Sequence, residues 1–478
     1  MKNGVLMQYF EWYLPDTGQL WNELSRDASH LAEKGISAVW IPPAYKGSSS
    51  NDVGYSAYDL YDFGEFDQKG TVRTKYGTRS ELENAVKALH AAGIQVILDT
   101  VLNHKASGDS TERFKAVEVR AENRNEEVDG VREIEGYTSF EFPGRGNKYS
   151  DYKWHWYDFS GVDYDNLTGD NCIFRIVGEG KGWSQGVDGE NGNYDFLMAN
   201  NIDHDRPQVR EELFKWSEWA VKSFGFDGLR MDAMKHIDYN FTRDFIANIR
   251  AKTNSNLYAV GEYWNGDLDT LLHFLDNTDH SIDLFDVPLH YKFFRAGEEG
   301  AEFDMSTLLD DTLVQSSAQN AVTFVDNHDS QSGCSLESKV ADWFKPLAYA
   351  LILLMKEGYP SLFYGDYYSE KGVASPHREV LDLLLDIRQR YARGEQTLYF
   401  DHPSCVALVR YGDEEGSGLV LLLANDEASS KHIELGKDHA GEQWRDITGH
   451  DIDPVTLDEN GAADFLCPGR TFSVWVKQ

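Results

Sequence analysis

Ile36-Ser37-Ala38-Val39-Trp40-Ile41 is the stretch that decides the fold class. It is a short run of apolar and β-branched residues, which is typical of a buried strand. An amphipathic stretch at 21–34 precedes it, and an earlier apolar run occupies 5–9. The order strand, helix, strand predicts a βαβ unit with parallel strands.

The same alternation continues to about residue 364. Helical patterns such as 81–91 and 209–224 separate most of the apolar runs. Further buried-strand candidates are 95–98, 228–231, 257–260, 282–285, 321–325 and 361–364. With the first two they make eight, which predicts an α/β fold of the closed (β/α)8 TIM-barrel type rather than an open doubly wound sheet.

Two departures from this rhythm predict additional domains. Roughly 130 residues separate the third and fourth strands, where a βα unit needs about 30. The intervening segment is rich in Gly, Asn, Asp and aromatic residues and contains an alternating run at 172–177, which predicts an inserted β-rich domain. After residue 393 alternating strands predict a C-terminal antiparallel β-sandwich. The predicted division is barrel 1–104, insertion 105–207, barrel 208–393 and C-terminal domain 394–478.

The composition of the chain limits which classes of binding partner are expected. The formal net charge of -35 disfavours nucleic acid and anionic membranes, which would repel the chain, whereas a neutral polymer is compatible with it. The longest apolar run, at 346–355, is too short for a membrane helix of about 20 residues. Residues 1–9 lack the apolar core of a secretory signal, so we expect a cytoplasmic protein, although a chain whose signal had been removed would look the same.

The four cysteines carry no functional signal. They are widely scattered and form no C-x-x-C pair, so free buried thiols are expected rather than a metal knuckle or a redox site. The cysteines are Cys172, Cys334, Cys405 and Cys467. We expect a monomer without an organic cofactor.

Four predicted strands run directly into carboxylates or histidines. In barrel enzymes the reacting groups lie where strands end and βα loops begin. One Asp at a strand end is more often a helix N-cap, but several charged ends at one mouth would repel each other unless they bind a ligand or are held by Arg230 and the histidines. The four segments are Asp99-Thr100-Val101-Leu102-Asn103-His104, Gly228-Leu229-Arg230-Met231-Asp232-Ala233-Met234-Lys235-His236, Gly261-Glu262-Tyr263-Trp264 and Phe324-Val325-Asp326-Asn327-His328-Asp329.

In order and spacing these segments resemble the four conserved regions of the α-amylase family, family thirteen of the glycoside hydrolases. The similarity is greatest to bacterial liquefying and intracellular amylases and covers nearly the whole chain. It implies endo-acting, retaining hydrolysis of internal α-1,4-glucosidic bonds in starch, glycogen or maltodextrins. Further similar segments are Gln8-Tyr9-Phe10-Glu11-Trp12, Ile41-Pro42-Pro43-Ala44-Tyr45-Lys46-Gly47, Asp195-Phe196-Leu197-Met198 and Trp343-Phe344-Lys345-Pro346-Leu347-Ala348-Tyr349.

The resemblance implies roles for three carboxylates. Asp232 is similar to the family's nucleophile, Glu262 to its general acid/base and Asp329 to the carboxylate that stabilises the transition state. Arg230 stands two residues before Asp232 on one strand, so both side chains face the same way and the guanidinium can keep Asp232 ionised. Glu262 must be protonated near neutrality, and we expect repulsion from the other two carboxylates to raise its pKa.

The resemblance also implies substrate-binding residues around these carboxylates. Two histidines would hydrogen-bond the sugar at the cleaved bond, and Asp99 would support the site by bonding Arg230. Aromatic rings would stack on sugar faces, although Trp12 fits a core position equally well, and two basic residues would contact the leaving-group side. The histidines are His104 and His328, the aromatic residues are Trp12, Tyr55 and Trp264, and the basic residues are Lys235 and His236.

Family members usually hold calcium between the barrel and the inserted domain, at oxygen ligands that suit this ion. The matching positions are Asn103, Asp195, Asn201 and the backbone carbonyl of His236. This chain departs from secreted relatives, because Asn201 stands where they carry Asp and Ser160 and Ser184 replace two Asp residues of an additional metal cluster. We therefore expect at most one modest calcium site; the alternative is an interface closed by hydrogen bonds alone.

Two other functions stay open. A maltooligosaccharide-forming hydrolase, an exo-glucosidase or a transglycosylase of the same superfamily would share all four segments, and the pattern of products would distinguish them. A catalytically silent carbohydrate-binding or scaffold protein is the third possibility. The presence of all three carboxylates argues against it.

Overall fold

Eight parallel strands close a barrel in the computed structural model, which describes residues 3–450 and 453–478. They follow one another around the barrel in chain order, and the first pairs with both the second and the eighth. Met1 and Lys2, which begin the stretch considered for a signal, lie outside the described residues. The strands are Leu6–Gln8, Ala38–Ile41, Gln95–Thr100, Gly228–Met231, Tyr258–Gly261, Asp283–Phe285, Ala321–Phe324 and Tyr359–Phe363. The predicted barrel is confirmed.

Helices alternate with these strands, and local sequence explains where they begin and end. Thr78 and Glu81 form a capping box at the start of one helix. Pro207 begins another helix, at a position whose backbone N–H would have no partner within the helix, so its absence costs no hydrogen bond. Gly225 ends this helix in the left-handed conformation, with a φ of 77°. The α-helices are Leu20–Glu33, Arg79–Ala91, Pro207–Phe224, Tyr239–Lys252, Leu268–Asn277, Val287–Glu299, Leu313–Ser316, Lys345–Leu354, Tyr364–Tyr367 and Arg378–Arg390. Short 3-10 helices are Trp156–Asp158, Glu190–Gly192, Met234–His236, Gly300–Glu302, Met305–Thr307, Ala318–Asn320 and Lys437–His439.

The long segment after the third barrel strand forms a six-stranded antiparallel sheet. Its short edge strand begins at His104, directly after the barrel strand, and pairs with the strand that leads back to the barrel. The two connections therefore lie side by side, next to the mouth of the barrel. In spatial order the strands are His104–Lys105, Asn200–Ile202, Phe159–Asp165, Asp170–Ile176, Ser110–Val119 and Arg132–Ser139.

The C-terminal domain is antiparallel, as predicted. A six-stranded and a two-stranded sheet enclose an apolar core that includes Val409, Leu422, Phe465 and Trp475. The larger sheet contains Gln396–Tyr399, Cys405–Arg410, Leu419–Ala424, Thr471–Lys477, Gln443–Asp446 and Val455–Thr456, and the smaller contains Ser429–Glu434 and Ala462–Cys467.

Several bounds differ from the predicted ones by one or two residues. The eighth barrel strand begins at Tyr359 and includes Pro360, which the apolar pattern left outside it. Two small hairpins near the mouth were not predicted, because their strands are too short to show a period; they are Lys46–Gly47 with Ala57–Asp59, and Ser369–Glu370 with Val373–Ala374. All four cysteines are free, but the expectation that they are buried holds only for Cys405 and Cys467, since Cys172 and Cys334 are partly exposed. Across the described ranges, every helix falls short of the length and apolarity that crossing a membrane requires.

Candidate active site

Arg230 is the centre of the charged site at the mouth of the barrel. It lies on the fourth barrel strand, and its side chain is completely buried. Its Nη1 donates to Asp99 Oδ1 at 2.9 Å and to Asp232 Oδ1 at 2.7 Å. Its Nη2 donates to Glu262 Oε2 at 2.6 Å. Carboxylates from the ends of three neighbouring strands therefore share one guanidinium.

Asp99 contacts Arg230 from the neighbouring third barrel strand, where the two residues lie at the same level of the barrel. Its Oδ2 also accepts hydrogen bonds from Tyr55 Oη at 2.7 Å and from Trp40 Nε1 at 2.9 Å. Burial raises the pKa of Asp99 to about 6, although the nearby Arg230 acts to lower it. Asp99 is thus ionised at neutral pH and anchors the guanidinium.

The environment of Glu262 favours its protonated form. Burial is the largest cause and raises its pKa well above the ordinary value, against the opposing charge of Arg230. Repulsion from Asp232 and Asp329 raises the pKa further, as expected from the sequence, which gave no indication of the larger contribution of burial. Burial likewise raises the pKa of Asp329 to about 7.

Nearly parallel rings line one wall of the site. Tyr55 stacks on His328 with centroids 5.1 Å apart and an interplanar angle of 10°. The ring centroid of Trp12 lies 5.8 Å from that of Tyr55, at an interplanar angle of 9°. Trp12 is half-buried, which agrees poorly with the alternative prediction of a core position. These rings lie beside the charged groups, because Tyr55 Oη donates to Asp99, and aromatic rings of this kind can stack on the face of a pyranose.

The two predicted sugar-binding histidines differ in their surroundings. Both ring nitrogens of His104 approach protein oxygens, Nε2 at 2.8 Å from the Tyr55 carbonyl and Nδ1 at 3.2 Å from Asn103 Oδ1. His328 has Nδ1 bonded to Gln8, while its Nε2 lies 3.2 Å from Asp329 Oδ2 and has no hydrogen-bond partner within the described residues. Of the two histidines, His328 is the one with a ring nitrogen that has no hydrogen-bond partner among the described residues, and this nitrogen is buried beside Asp329.

The residues predicted for the leaving-group side lie beside a loop of the inserted domain. Lys235 Nζ donates to Glu190 Oε2 at 2.7 Å, and His236 Nδ1 donates to the Tyr194 carbonyl at 2.7 Å. Trp264 is only 8% exposed, and its indole N–H donates to Tyr291. The role of Trp264 as a sugar platform stays a prediction.

The predicted calcium positions converge between the barrel and the inserted sheet. Asn103 Nδ2 lies 3.3 Å from the His236 carbonyl oxygen. Asp195 is buried, accepts hydrogen bonds from Ser160 and Ser184, and makes no ion pair within the described part of the chain; burial raises its pKa to about 8. Asn201 Nδ2 donates to Ser160, whereas its buried Oδ1 has no partner among the described residues. The described residues contain no group of three or more His, Cys, Asp and Glu side chains that could hold a metal ion.

Sequence reasoning missed residues that hold the predicted ones in place. Buried Glu11 accepts from Gln331 Nε2 at 3.1 Å, and Gln331 Oε1 accepts the Trp12 backbone N–H at 3.0 Å. Gln8, which precedes His328 by 320 residues in the sequence, contacts its ring. Gln8 and Glu11 interrupt an otherwise apolar run, and this interruption was the available signal.

Comparison with known proteins agrees with the geometry. The family model described as alpha amylase, catalytic domain, matches residues 27–399, and the alpha-amylase C-terminal model matches residues 419–476. Among solved structures, the alpha-amylase from Geobacillus thermoleovorans in complex with acarbose has a TM-score of 0.67 at 18% identity, covering 99% of this chain and 98% of that one. At this identity the structural match supports the fold alone.

Curated relatives match over the full chain. A glucan 1,4-alpha-maltohexaosidase from Bacillus sp. (strain 707) is 50% identical, covering 100% of this chain and 93% of the relative. An alpha-amylase from Bacillus licheniformis is 48% identical, with 100% and 94% coverage. A cytoplasmic alpha-amylase from Escherichia coli (strain K12) is 42% identical, with 100% and 99% coverage. The shared guanidinium, the barrel around it and these full-length matches together show that the chain belongs to the α-amylase family.

Proposed function

We propose that this chain is an endo-acting, retaining α-amylase that hydrolyses internal α-1,4-glucosidic bonds of starch, glycogen or maltodextrins. One observation carries the proposal: Arg230 contacts Asp232 and Glu262 at the same time, through its two terminal nitrogens. One guanidinium that contacts two carboxyl groups holds them close together, which is consistent with the ~5 to 5.5 Å that separates the two carboxyl groups of retaining glycosidases.

Asp232 is the proposed nucleophile. Its carboxylate attacks the anomeric carbon as the bond to the leaving oxygen breaks, which forms a covalent glycosyl-enzyme. Arg230 Nη1 donates to Oδ1 of Asp232, which holds the carboxylate in place and leaves Oδ2 for the attack. This arrangement places a positive charge beside the attacking carboxylate.

Glu262 is the proposed general acid and base. Because burial keeps its pKa high, it can carry a proton at neutral pH and deliver it to the leaving oxygen. The carboxylate that results then takes a proton from the water that attacks the glycosyl-enzyme, so Glu262 ends the cycle protonated. Asp329 would bind sugar hydroxyls and stabilise the positive charge on the ring.

The proposed binding surface surrounds these groups. Tyr55 and Trp12 offer ring faces to the sugar, and His328 offers a free ring nitrogen. Lys235 and His236 would lie on the leaving-group side. We further propose that the protein acts as a monomer and in the cytoplasm; the full-length similarity to the cytoplasmic alpha-amylase of E. coli supports the location.

The second candidate is a maltooligosaccharide-forming hydrolase, which the 50% identity to a maltohexaosidase favours. A time course on amylose, with products resolved by chromatography, separates the two. We expect a mixture of oligosaccharides from the first minutes, together with a steep early fall in viscosity, because attack at internal bonds shortens chains quickly. A single oligosaccharide that dominates from the start would contradict the endo-acting proposal and support the second candidate.

We also propose one calcium site, formed by Asn103, Asp195, Asn201 and the His236 carbonyl. Hydrogen bonding around His104 supports it. A neutral imidazole cannot donate from both nitrogens, yet both face oxygens of Tyr55 and Asn103. Amide orientations are assigned from such networks. Turning the Asn103 amide lets Nδ2 donate to His104 and directs Oδ1 and the His236 carbonyl oxygen toward a common point, where a cation would hold both.

The remaining ligands are consistent with weak binding. Asp195 contributes a buried carboxylate without an ion-pair partner, and Asn201 an unpartnered Oδ1, so the set contains oxygen atoms but only one negative charge. When bound, the ion would supply a positive charge that ties the inserted sheet to the barrel.

Titration of chelator-treated protein with Ca²⁺ in a calorimeter tests this site. We expect about one ion per chain, loss of binding in Asp195→Asn, and tighter binding in Asn201→Asp, since each added carboxylate strengthens attraction for the ion. Asn51→Asp, the same change at an exposed residue, is the matched control and should not alter binding. Two or more tightly bound ions, or unchanged binding in Asp195→Asn, would refute the proposed site.

A further inference from the structure

The plane of the His328 ring is set by its aromatic neighbours. It lies nearly parallel to Tyr55 and also to Trp12, whose centroid is 6.1 Å away at 12°. Trp40 meets it edge-on, 5.6 Å away at 77°. Such contacts restrain the tilt of an imidazole, but they do not decide which of its two nitrogens carries the proton.

Gln8 makes the contact that distinguishes the two nitrogens. It is the last residue of the first barrel strand and is 1% exposed. Its Nε2 lies 2.9 Å from His328 Nδ1. With the Gln8 amide in this orientation, its NH₂ group donates and cannot accept, which makes Nδ1 the acceptor and places the single proton of the neutral ring on Nε2; the tautomer is therefore part of the inference and is what the experiment below measures.

The protonated nitrogen then faces the reaction site. His328 Nε2 is 3.2 Å from Asp329 Oδ2, and among the described residues it has no hydrogen-bond partner. Burial lowers the pKa of His328 well below its ordinary value, which keeps the ring neutral and makes the position of its one proton decisive. In this form Nε2–H can donate to a sugar hydroxyl beside the third carboxylate.

We propose that Gln8 is a positioning residue that fixes His328 in the tautomer with its proton on Nε2, so that this N–H donates to the sugar at the cleaved bond. The inference deepens the proposed function and rests on it, because it assumes that His328 contacts the substrate. Gln8 itself acts only through the histidine.

The tautomer can be observed directly by ¹⁵N NMR of protein labelled at histidine. The His328 signals are identified by their loss in His328→Asn. We expect an unprotonated Nδ1 and a protonated Nε2 in the unaltered protein at neutral pH. In Gln8→Glu the carboxylate can only accept, so we expect the proton to move to Nδ1. A protonated Nδ1 in the unaltered protein would overturn the inference whether or not any variant folds.

Kinetics on maltoheptaose connect the tautomer to catalysis. We expect kcat/KM to fall at least roughly 10- to 100-fold in Gln8→Glu, the range seen when a residue that orients a metal-binding histidine is lost, and less in Gln8→Met, which removes the bond without reversing it. Gln95→Glu makes the same change at the first residue of the third barrel strand, at the end of the barrel opposite the mouth, and should leave kcat/KM unchanged.

The outcomes separate the two proposals. Hydrolysis by the unaltered protein, measured first, tests the proposed function. If the protein hydrolyses maltoheptaose and Gln8→Glu moves the proton without lowering kcat/KM, the role of Gln8 is wrong and the proposed function stands. A moved proton together with a selective loss of kcat/KM supports the role of Gln8.

Discussion

Replacing Glu262 by Gln or Asp232 by Asn should abolish hydrolysis of soluble starch while leaving thermal unfolding nearly unchanged. Loss of the acid/base is expected to lower kcat by about 10⁴, the upper end of the range for acid–base catalysis, and loss of the nucleophile by at least about 10⁴. Stability should change little, because Arg230 keeps two of its three carboxylate partners in each variant.

Matched controls use the same chemical changes at exposed positions. Glu179→Gln and Asp129→Asn should retain full activity. The measurements are reducing-sugar release from soluble starch and a thermal unfolding curve for each protein. An active Glu262→Gln protein would overturn the assignment of the acid/base. An inactive variant that also unfolds at a lower temperature would contradict the expected result, because its loss of activity could then come from misfolding.

Replacing Arg230 by Met should have the largest effect on stability. Three carboxylates share this guanidinium, and removing it leaves Asp99, Asp232 and Glu262 buried without their cation. Breaking a buried ion pair from one side typically costs about 3 to 5 kcal/mol in the free energy of unfolding. Denaturant unfolding at neutral pH measures the change, and activity should be lost as well.

Two further proteins show whether uncompensated charge is the cause. Arg230→Met combined with Asp99→Asn should recover part of the lost free energy, because one buried negative charge is removed along with the cation. Arg120→Met breaks an exposed ion pair with Glu126 and should leave unfolding nearly unchanged. An Arg230→Met protein as stable as the unaltered one would contradict the account of the site.

The barrel was predictable because its strands are buried on both faces and read as unbroken apolar runs. The short run from Ala38 to Ile41 is an example. The hairpin formed by Lys46–Gly47 and Ala57–Asp59 was not predictable in this way. Lys46 is buried there, and its ammonium donates to the backbone carbonyls of Thr71 and Val72 at 2.7 Å each, a contact that depends on tertiary structure.

Strand ends indicated which residues meet at the mouth, but not how they are arranged. The spacing of Arg230 and Asp232 predicts that they face the same way, and they lie in contact. The pairing of Gln8 with His328 spans 320 residues and follows only from closure of the barrel. Whether Trp264 is packed or exposed likewise depends on Tyr291, which no local pattern connects to it.

The central claim is that Asp232 forms a covalent bond to the sugar while Glu262 handles the proton. Incubating Glu262→Gln protein with α-maltotriosyl fluoride tests it most directly by mass spectrometry of the intact protein and its peptides. Fluoride leaves without help from an acid, and the variant lacks the base that would release the sugar. We predict one added maltotriosyl group on the peptide that contains Asp232. No adduct, or an adduct on Asp329 or another carboxylate, would contradict the account.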